Sequence, residues 1–273
     1  MIILAGTPLG NTADASSRLC DTLRTADLIA AEDTRRLLNL VARLGLEIHA
    51  PVVAYHDHNE EQKAPDLVQA AARGQRVVVV SDAGMPAISD PGYRLVSLAA
   101  ARGVQVTAVP GPCAAVTAIA LSGLPSDRFT FEGFLPRKSG ERAARLAELR
   151  ADVRTLVFYE SAKRLEQTLK DMADVFGEKR PAVVAREMTK THEQVRRGTL
   201  GDLALWAQGN VLGEIVIVVQ GARENKDNTA PEYVDEVRQL HEEGLRLKVA
   251  AAHVARREGL SAKALYDAAC EAE

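Results

Sequence analysis

Val77-Val78-Val79-Val80-Ser81-Asp82-Ala83-Gly84-Met85-Pro86 is the stretch on which the fold turns. Four consecutive β-branched residues leave no polar face, the pattern of a strand covered on both sides in a parallel sheet. A loop of small residues follows at once and carries a single acid, Asp82. Open α/β sheets bind ligands beyond the carboxyl ends of their strands, so this loop is a candidate binding edge. The same unit recurs on either side. Residues 2–5 predict a strand ending in Gly6-Thr7-Pro8-Leu9-Gly10-Asn11, and residues 104–109 one ending in Pro110-Gly111-Pro112-Cys113-Ala114. Any one such loop reads as a tight turn. Three in one half of the chain, each open to close approach of a ligand, point to a site.

Further strands are expected over 28–31 and 52–54, with helices over 16–24, 34–43, from Asn59 to about Arg73, and 93–101. The alternation predicts an α/β domain with a mainly parallel sheet over 1–112. A helix over 114–121 and the turn Gly123-Leu124-Pro125 lead into a second α/β domain, 113–223. Its strands are expected near 129–134, 155–159, 182–186 and 215–219, its helices near 141–149 and 165–176, with an antiparallel edge strand over 193–199. From Ala222 to Pro231 the composition turns polar, a linker signature. The tail, 230–273, reads as two or three short helices; residues 247–255 and 261–269 around Gly259 resemble a helix-turn-helix.

Composition narrows the function. With 273 residues, 47% hydrophobic and 26% charged, the chain has the make-up of a globular protein. Aromatic residues are only 4%, which argues against stacking platforms for single-stranded nucleic acid. The net charge of −3 leaves no overall basic footprint. Basic residues nevertheless concentrate in 137–150, 179–197 and 246–263. Each run alone is a solvated face, but together they suggest the local segregation that phosphate contacts need. Cys20, Cys113 and Cys270 are scattered, neither a disulfide framework nor a zinc site, and suit a reducing cytoplasm. The first residues lack a basic n-region and no apolar run is long enough to span a bilayer, so a cytoplasmic protein with no membrane partner is expected.

Several chemistries are excluded or weakened. The dinucleotide fingerprint needs G-x-G-x-x-G after the first strand, whereas here Pro8 stands between Gly6 and Gly10. A P-loop is absent. His56 and His58 are two metal ligands without a third, so no metal is expected. Cys113 reads as a small apolar residue opening a helix, not as a nucleophile.

Taken in order, Gly6-Thr7-Pro8-Leu9-Gly10-Asn11, Ala30-Ala31-Glu32-Asp33-Thr34-Arg35, His56-Asp57-His58-Asn59-Glu60, Ser81 to Pro86, Asp90-Pro91-Gly92-Tyr93, Pro110 to Ala115, Gly133-Phe134-Leu135-Pro136 and Phe158-Tyr159-Glu160-Ser161 resemble the ribosomal RNA small subunit methyltransferase I family. That family lies within the tetrapyrrole-methylase superfamily, the class III S-adenosylmethionine methyltransferases. The resemblance runs over essentially the whole chain. It implies two α/β domains with S-adenosylmethionine in the cleft between them, a short helical tail, a homodimer, and 2′-O-methylation of a cytidine in the decoding region of 16S rRNA within the 30S subunit. One departure is visible: the family more often has Val-Pro-Thr-Pro where this chain has Leu4-Ala5-Gly6-Thr7-Pro8. Gly6 is expected to loosen the loop while Thr7 and Pro8 preserve cofactor binding.

By this resemblance Thr7, Pro8, Asp82, Gly84, Met85, Cys113, Ala114, Tyr159, Ala185, Glu214 and Ile215 surround the cofactor. Methyl transfer to oxygen needs alignment and removal of a proton. Glu32, Asp33 and His56 are the leading candidates for that proton, with Asp57, His58, Asp90, Glu187 and Lys190 also open. The alternatives are structural: His56 to Asn59 also reads as a loop with a helix cap, and Glu32-Asp33 as the cap of the helix at Thr34. Arg35, Arg137, Lys138, Arg186, Lys190, Arg256 and Arg257 are the candidate RNA contacts. The competing functions are a methylase of the same fold acting on a tetrapyrrole, and a ribosome-binding factor without catalysis.

Overall fold

A computed structural model describes residues 1–209, 211–222, 231–258 and 260–271. Strands β1 (Ile2–Ala5), β2 (Leu28–Ala31), β3 (Val52–Ala54), β4 (Val77–Val80) and β5 (Val106–Val109) form one sheet in the order β3-β2-β4-β1-β5, and every pairing is parallel. The four valines of β4 sit mid-sheet and divide between its two faces. Val77 and Val79 join Ile2 in a core closed by helices α3 (Glu60–Ala72) and α4 (Tyr93–Ala101) through Leu67, Val68 and Leu95. Val78 and Val80 join Ile29 under α1 (Ser17–Arg24) and α2 (Thr34–Arg43) through Leu19, Leu23, Leu37 and Val41. A strand with helices on both faces has no solvated side, which is why its sequence does not alternate.

The second half builds its own sheet from β6 (Phe129–Phe134), β7 (Thr155–Ser161), β8 (Pro181–Arg186), β9 (Gln194–Thr199) and β10 (Glu214–Val219), ordered β6-β7-β10-β8-β9. Only β6 and β7 are parallel; β9 is the antiparallel edge expected from the sequence. Helices α6 (Ser139–Leu149), α7 (Leu165–Phe176) and α8 (Leu200–Trp206) cover one face, and α5 (Ala114–Ser122) lies on the other through Ala115, Ala118 and Ile119. Helix α8 escaped the sequence reading although its start is explicit: Thr199 and Asp202 close a reciprocal capping box.

Both sheets belong to one compact unit, Met1–Ala222. In the second unit, α9 (Pro231–Glu242), α10 (Leu247–Glu258) and α11 (Ala262–Glu271) share a small core of Val237, Ala250, Val254 and Leu265. The expected linker residues 223–230 and Gly259 lie outside the described residues. Among the described residues no helix is long and apolar enough to cross a membrane.

Candidate active site

The carboxyl ends of β1, β4 and β5 meet the second sheet around a cavity of about 400 Å³. Its first wall comes from the parallel sheet. Glu32 follows β2, Asp82 to Met85 follow β4, and Ser89 and Asp90 lie in the loop leading to α4. The opposite wall comes from the mixed sheet, through Tyr159 and Glu160 of β7 and Glu214 to Val216 of β10, with Phe134 at the end of β6 and Met188 beyond β8.

Backbone contacts fix the first wall. Thr7 and Gly84 exchange N–H···O bonds of 2.9 and 3.1 Å, and the Thr7 hydroxyl donates to the Ser81 carbonyl at 3.3 Å. Gly6 is wedged against Gly111: a Cβ on either would lie 2.7–2.8 Å from the other's Cα. Its backbone does not use the left-handed region, so the glycine provides a close approach of two loops and not the looseness expected of it.

Carboxylates are concentrated on this wall and tied together in series. Asp82 Oδ1 accepts from the Asp33 N–H at 3.0 Å, and Oδ2 faces Arg36 Nη1 at 3.2 Å. Glu32 Oε2 accepts from the Asp82 N–H at 3.1 Å. Burial raises the proton affinity of both Glu32 and Asp82, partly offset at Glu32 by the Asp82 N–H and at Asp82 by Arg36. Asp90 goes furthest, to about 7, through burial first and then the negative charge of Glu32. On the facing wall the acids are engaged. Glu160 is buried and accepts from the Ser161 N–H at 2.7 Å and the Thr168 hydroxyl at 2.7 Å, with Arg164 at 3.4 Å. Glu214 pairs with Lys190 at 3.0 Å, and Lys190 also reaches Glu187 at 3.0 Å. Tyr159 stands edge-on to Phe131 and Phe134, with centroids 4.8 and 5.7 Å away. Its hydroxyl accepts from the Ala115 N–H at 3.3 Å, and burial lifts its pKa to about 12.

Most of the expected cofactor residues converge here: Asp82, Gly84, Met85, Cys113, Ala114, Tyr159, Glu214 and Ile215 all line the cavity. Three do not. Thr7 is 1% exposed and acts behind the wall by bracing Gly84. Pro8 lies on a neighbouring groove beside Arg35, Arg36 and Arg43. Ala185 is buried in the core under α5, because its side chain points to the helix-covered face of β8.

Of the expected proton acceptors, Glu32 lines the cavity; Asp33 and His56 do not. Asp33 caps α2 through the Arg35 N–H at 2.8 Å, and its hydrogen bonds to Arg35 hold its carboxyl down to about 2. His56 sits in a loop closed by Asn59, whose Oδ1 accepts from the His56 N–H at 2.9 Å. One residue that shapes the cavity had no place among the sequence candidates. Glu60 is buried, and its Oε1 accepts from the Tyr55 hydroxyl at 2.8 Å, the Gly92 N–H at 2.9 Å and the Arg94 N–H at 3.2 Å. It thereby clamps the start of α4, next to Asp90. Nothing in local spacing links a helix-opening glutamate to a loop 30 residues later.

The candidate RNA contacts divide in the same way. Arg35, Arg137, Lys138, Arg256 and Arg257 are exposed. Arg257 is held by Glu236 and Glu258, and Lys138 by Glu141, in solvent-exposed pairs that cost little to break. Lys190 does not present a free charge, since Glu187 and Glu214 take it from either side. Arg186 is half-buried, with its Nε out of contact with water and unpartnered among the described residues.

Comparison with known proteins agrees with this architecture. Residues 1–204 match the family described as Tetrapyrrole (Corrin/Porphyrin) Methylases. A ribosomal RNA small subunit methyltransferase I of Mycobacterium tuberculosis is 47% identical over 98% of this chain and 93% of its own, and one of Escherichia coli O157:H7 is 44% identical over 99% and 94%. Among solved structures, the methyltransferase CobJ superposes with a TM-score of 0.63 at 22% identity, over 81% of this chain and 94% of its own. Diphthine synthase does so at 0.59 and 16%, over 80% and 89%. At those identities the structures speak for the fold alone. The chain is a methyltransferase of the tetrapyrrole methylase family, and its near-full-length identity places it with the ribosomal RNA small subunit methyltransferase I members.

Proposed function

We propose that the chain transfers a methyl group from S-adenosylmethionine to the ribose 2′-hydroxyl of a cytidine in the decoding region of 16S rRNA, within the 30S subunit. The observation that carries this reading is 44–47% identity over nearly the whole chain to proteins bearing that enzyme's name, combined with a cavity built from the same motifs. In this reading 1–112 and 113–223 are the two walls of one cofactor cleft, and the tail 230–273 docks RNA. The assembly is a homodimer in the cytoplasm.

The cavity suits that donor on physical grounds. A volume near 400 Å³ falls in the usual range for small-molecule sites. Met85, Tyr159, Phe134 and Ile215 offer apolar surface to a purine. Glu32, Asp82 and Asp90 bring carboxylates together where a cation would be favoured, and their raised proton affinities come first from burial and then from the charge of neighbouring carboxylates. When bound, the donor supplies a methyl group already activated on a positive sulfur, so the protein's own task is placement. Backbone groups of Ala83 to Met85 and of Cys113-Ala114 line the space for its polar ends. The Thr7–Gly84 bridge and the Gly6–Gly111 contact keep those edges rigid, which is where alignment contributes most to rate. The exposed guanidiniums and ammonium of Arg35, Arg137, Lys138, Arg256 and Arg257 contact RNA phosphates.

The test is incubation of the full chain with labelled S-adenosylmethionine and either 30S subunits or a precorrin, followed by mapping of 2′-O-methyl marks. Label in one cytidine of 16S rRNA is the expected result; label in the tetrapyrrole alone overturns it.

A further inference from the structure

Methylation of a hydroxyl leaves a proton to be placed, and on the functional reading above the cavity must hold its acceptor. We infer that the Asp90 carboxylate takes that proton. As the new O–C bond forms, the hydroxyl O–H bond breaks and its proton passes to Asp90, while the electron pair of the C–S bond leaves with the sulfur.

Elimination among the cavity's acids leads there. Asp82 spends one oxygen on the Asp33 N–H and the other on Arg36. Glu32 is anchored through Oε2 by the Asp82 N–H, a donor that favours its ionised form and that Asp90 does not have. Glu160 and Glu214 are held by Arg164, Thr168 and Lys190. Asp90 lines the same cavity, yet among the described residues its carboxylate has no hydrogen-bond donor and no cation, and the neighbouring Ser81 hydroxyl is directed at the Ala83 and Gly84 carbonyls, both at 3.4 Å. An unclaimed, half-buried carboxylate has oxygens free to receive a substrate proton.

The backbone holds this acid in place at a visible cost. Ala87 and Ser89, neither of them glycine, adopt φ of 69° and 63°, in the sparsely populated left-handed region. Gly92 has φ of 144°, and a Cβ there would meet that of Ala87 at 2.9 Å. Glu60 then clamps Gly92 and Arg94 from α3. Strained residues persist where surrounding structure over-determines them, and here both the strain and the clamp flank Asp90.

The charged and titratable groups facing Asp90 are Glu32 from the end of β2, Asp82 from the end of β4, Asp57 from the loop before α3, and Tyr159 from β7. Burial and these like charges bring its proton affinity near neutrality, where an acceptor is half ready and still basic enough. Glu32 is then a positioning residue, acting through its charge on Asp90.

The experiment uses the full chain and 30S subunits in single-turnover methylation from about pH 5.5 to about pH 9, comparing wild type, Asp90→Asn and Glu32→Gln. Donor affinity is measured alongside by calorimetry, and carboxyl carbon NMR follows the titration of aspartates in the wild type. The wild-type rate should rise with pH and level off above about 7. With the donor at saturation, Asp90→Asn should lose a factor of about 10²–10³ in rate and the inflection, a loss well beyond the weakening of donor affinity that follows from removing one of the cavity's negative charges. Glu32→Gln should move the inflection to lower pH, and an aspartate titrating near 7 should vanish in Asp90→Asn. An Asp90→Asn protein within threefold of wild type (roughly, on the scale of a lost base) with the same inflection overturns the inference alone. So does an Asp90 that titrates in the ordinary carboxylate range. A wild type that leaves 30S subunits unmethylated overturns the functional reading, and this inference with it.

Discussion

The two walls of the cavity treat their acids differently. On the mixed-sheet wall Glu160, Glu187 and Glu214 each meet an arginine or lysine, and the Glu214 N–H and Lys190 together hold the Glu187 carboxyl below its usual range. On the parallel-sheet wall Arg36 pairs with Asp82 and acts only weakly on Glu32, Asp90 meets no cation among the described residues, and all three are raised. The strands explain the contrast. The carboxyl ends of β1, β2, β4 and β5 all lead to the cavity, so the acids arrive on loops and crowd together. The antiparallel pairings of β10 bring both ends of strands to the site, and with them the Glu187–Lys190 turn that supplies a cation.

The largest effect should come from the clamp that holds the unpaired side. Glu60→Ala would strand the Tyr55 hydroxyl and the N–H groups of Gly92 and Arg94 in a buried place. A loss of about 3 kcal/mol is expected, read from urea unfolding, since each orphaned buried donor costs roughly 1–3 kcal/mol. Donor binding should weaken with it, because the Asp90 loop would lose its anchor. If Glu60→Ala melts like wild type, the parallel wall is not held from α3. Next in size is Gly111→Ala. Its new methyl would stand 2.8 Å from the Cα of Gly6, backbone against backbone, and should cost about 1–3 kcal/mol in the same measurement.

How far the sequence revealed these features depended on the range of the signal. The four valines of β4 were legible as a two-sided strand, and the boundaries of β1, β2, β3 and β6 fall where alternation and turn residues put them. Eight of the expected cofactor residues reached the cavity because strand ends are local features that a motif marks directly. Ala185 failed because side-chain direction along β8 depends on which face α5 covers. On the cavity wall Arg36 and Ile88 lay outside the quoted motifs, and Phe134, though inside one, was given no role. Lys190 looked like free charge because a basic run does not say which of its members an acid from another strand will claim, and Arg186 because the run does not say which of them is half-buried. At His56-Asp57-His58-Asn59-Glu60 the alternative reading of a loop leading into a helix cap is the one the structure shows, with Asn59 at the start of α3. Its buried Glu60 reaches the Gly92 N–H, a contact visible only once α4 is placed.

Stability against pH sharpens the contrast between the walls. The folded Asp90 has a pKa of about 7, above the roughly 3.9 of an unfolded aspartate, so the folded chain binds the proton more tightly. Its favourable contribution is complete below about pH 4 and is lost as the pH rises to about 7. Asp90→Asn should therefore match wild type near pH 4 and exceed it above about pH 7, by roughly 1–2 kcal/mol after allowance for solvent screening. Thermal melts at the two ends of that range decide it. A variant less stable than wild type at the alkaline end would mean that Asp90 is held ionised after all.

The smallest effects on stability separate framing charge from working charge within the mixed half. Lys190→Met leaves Glu187 and Glu214 facing each other without their cation. It should cost about 1 kcal/mol, being partly exposed, and barely alter the salt dependence of 30S binding. Arg137→Ala removes an exposed side chain and should leave the melt within about 0.5 kcal/mol of wild type. It should instead weaken 30S binding several-fold and reduce the slope of log affinity against log salt by about 1, as loss of one phosphate contact does. Filter binding at two salt concentrations measures both variants. Should Lys190→Met change the slope and Arg137→Ala leave it alone, the assignment of charge between frame and RNA would have to be reversed.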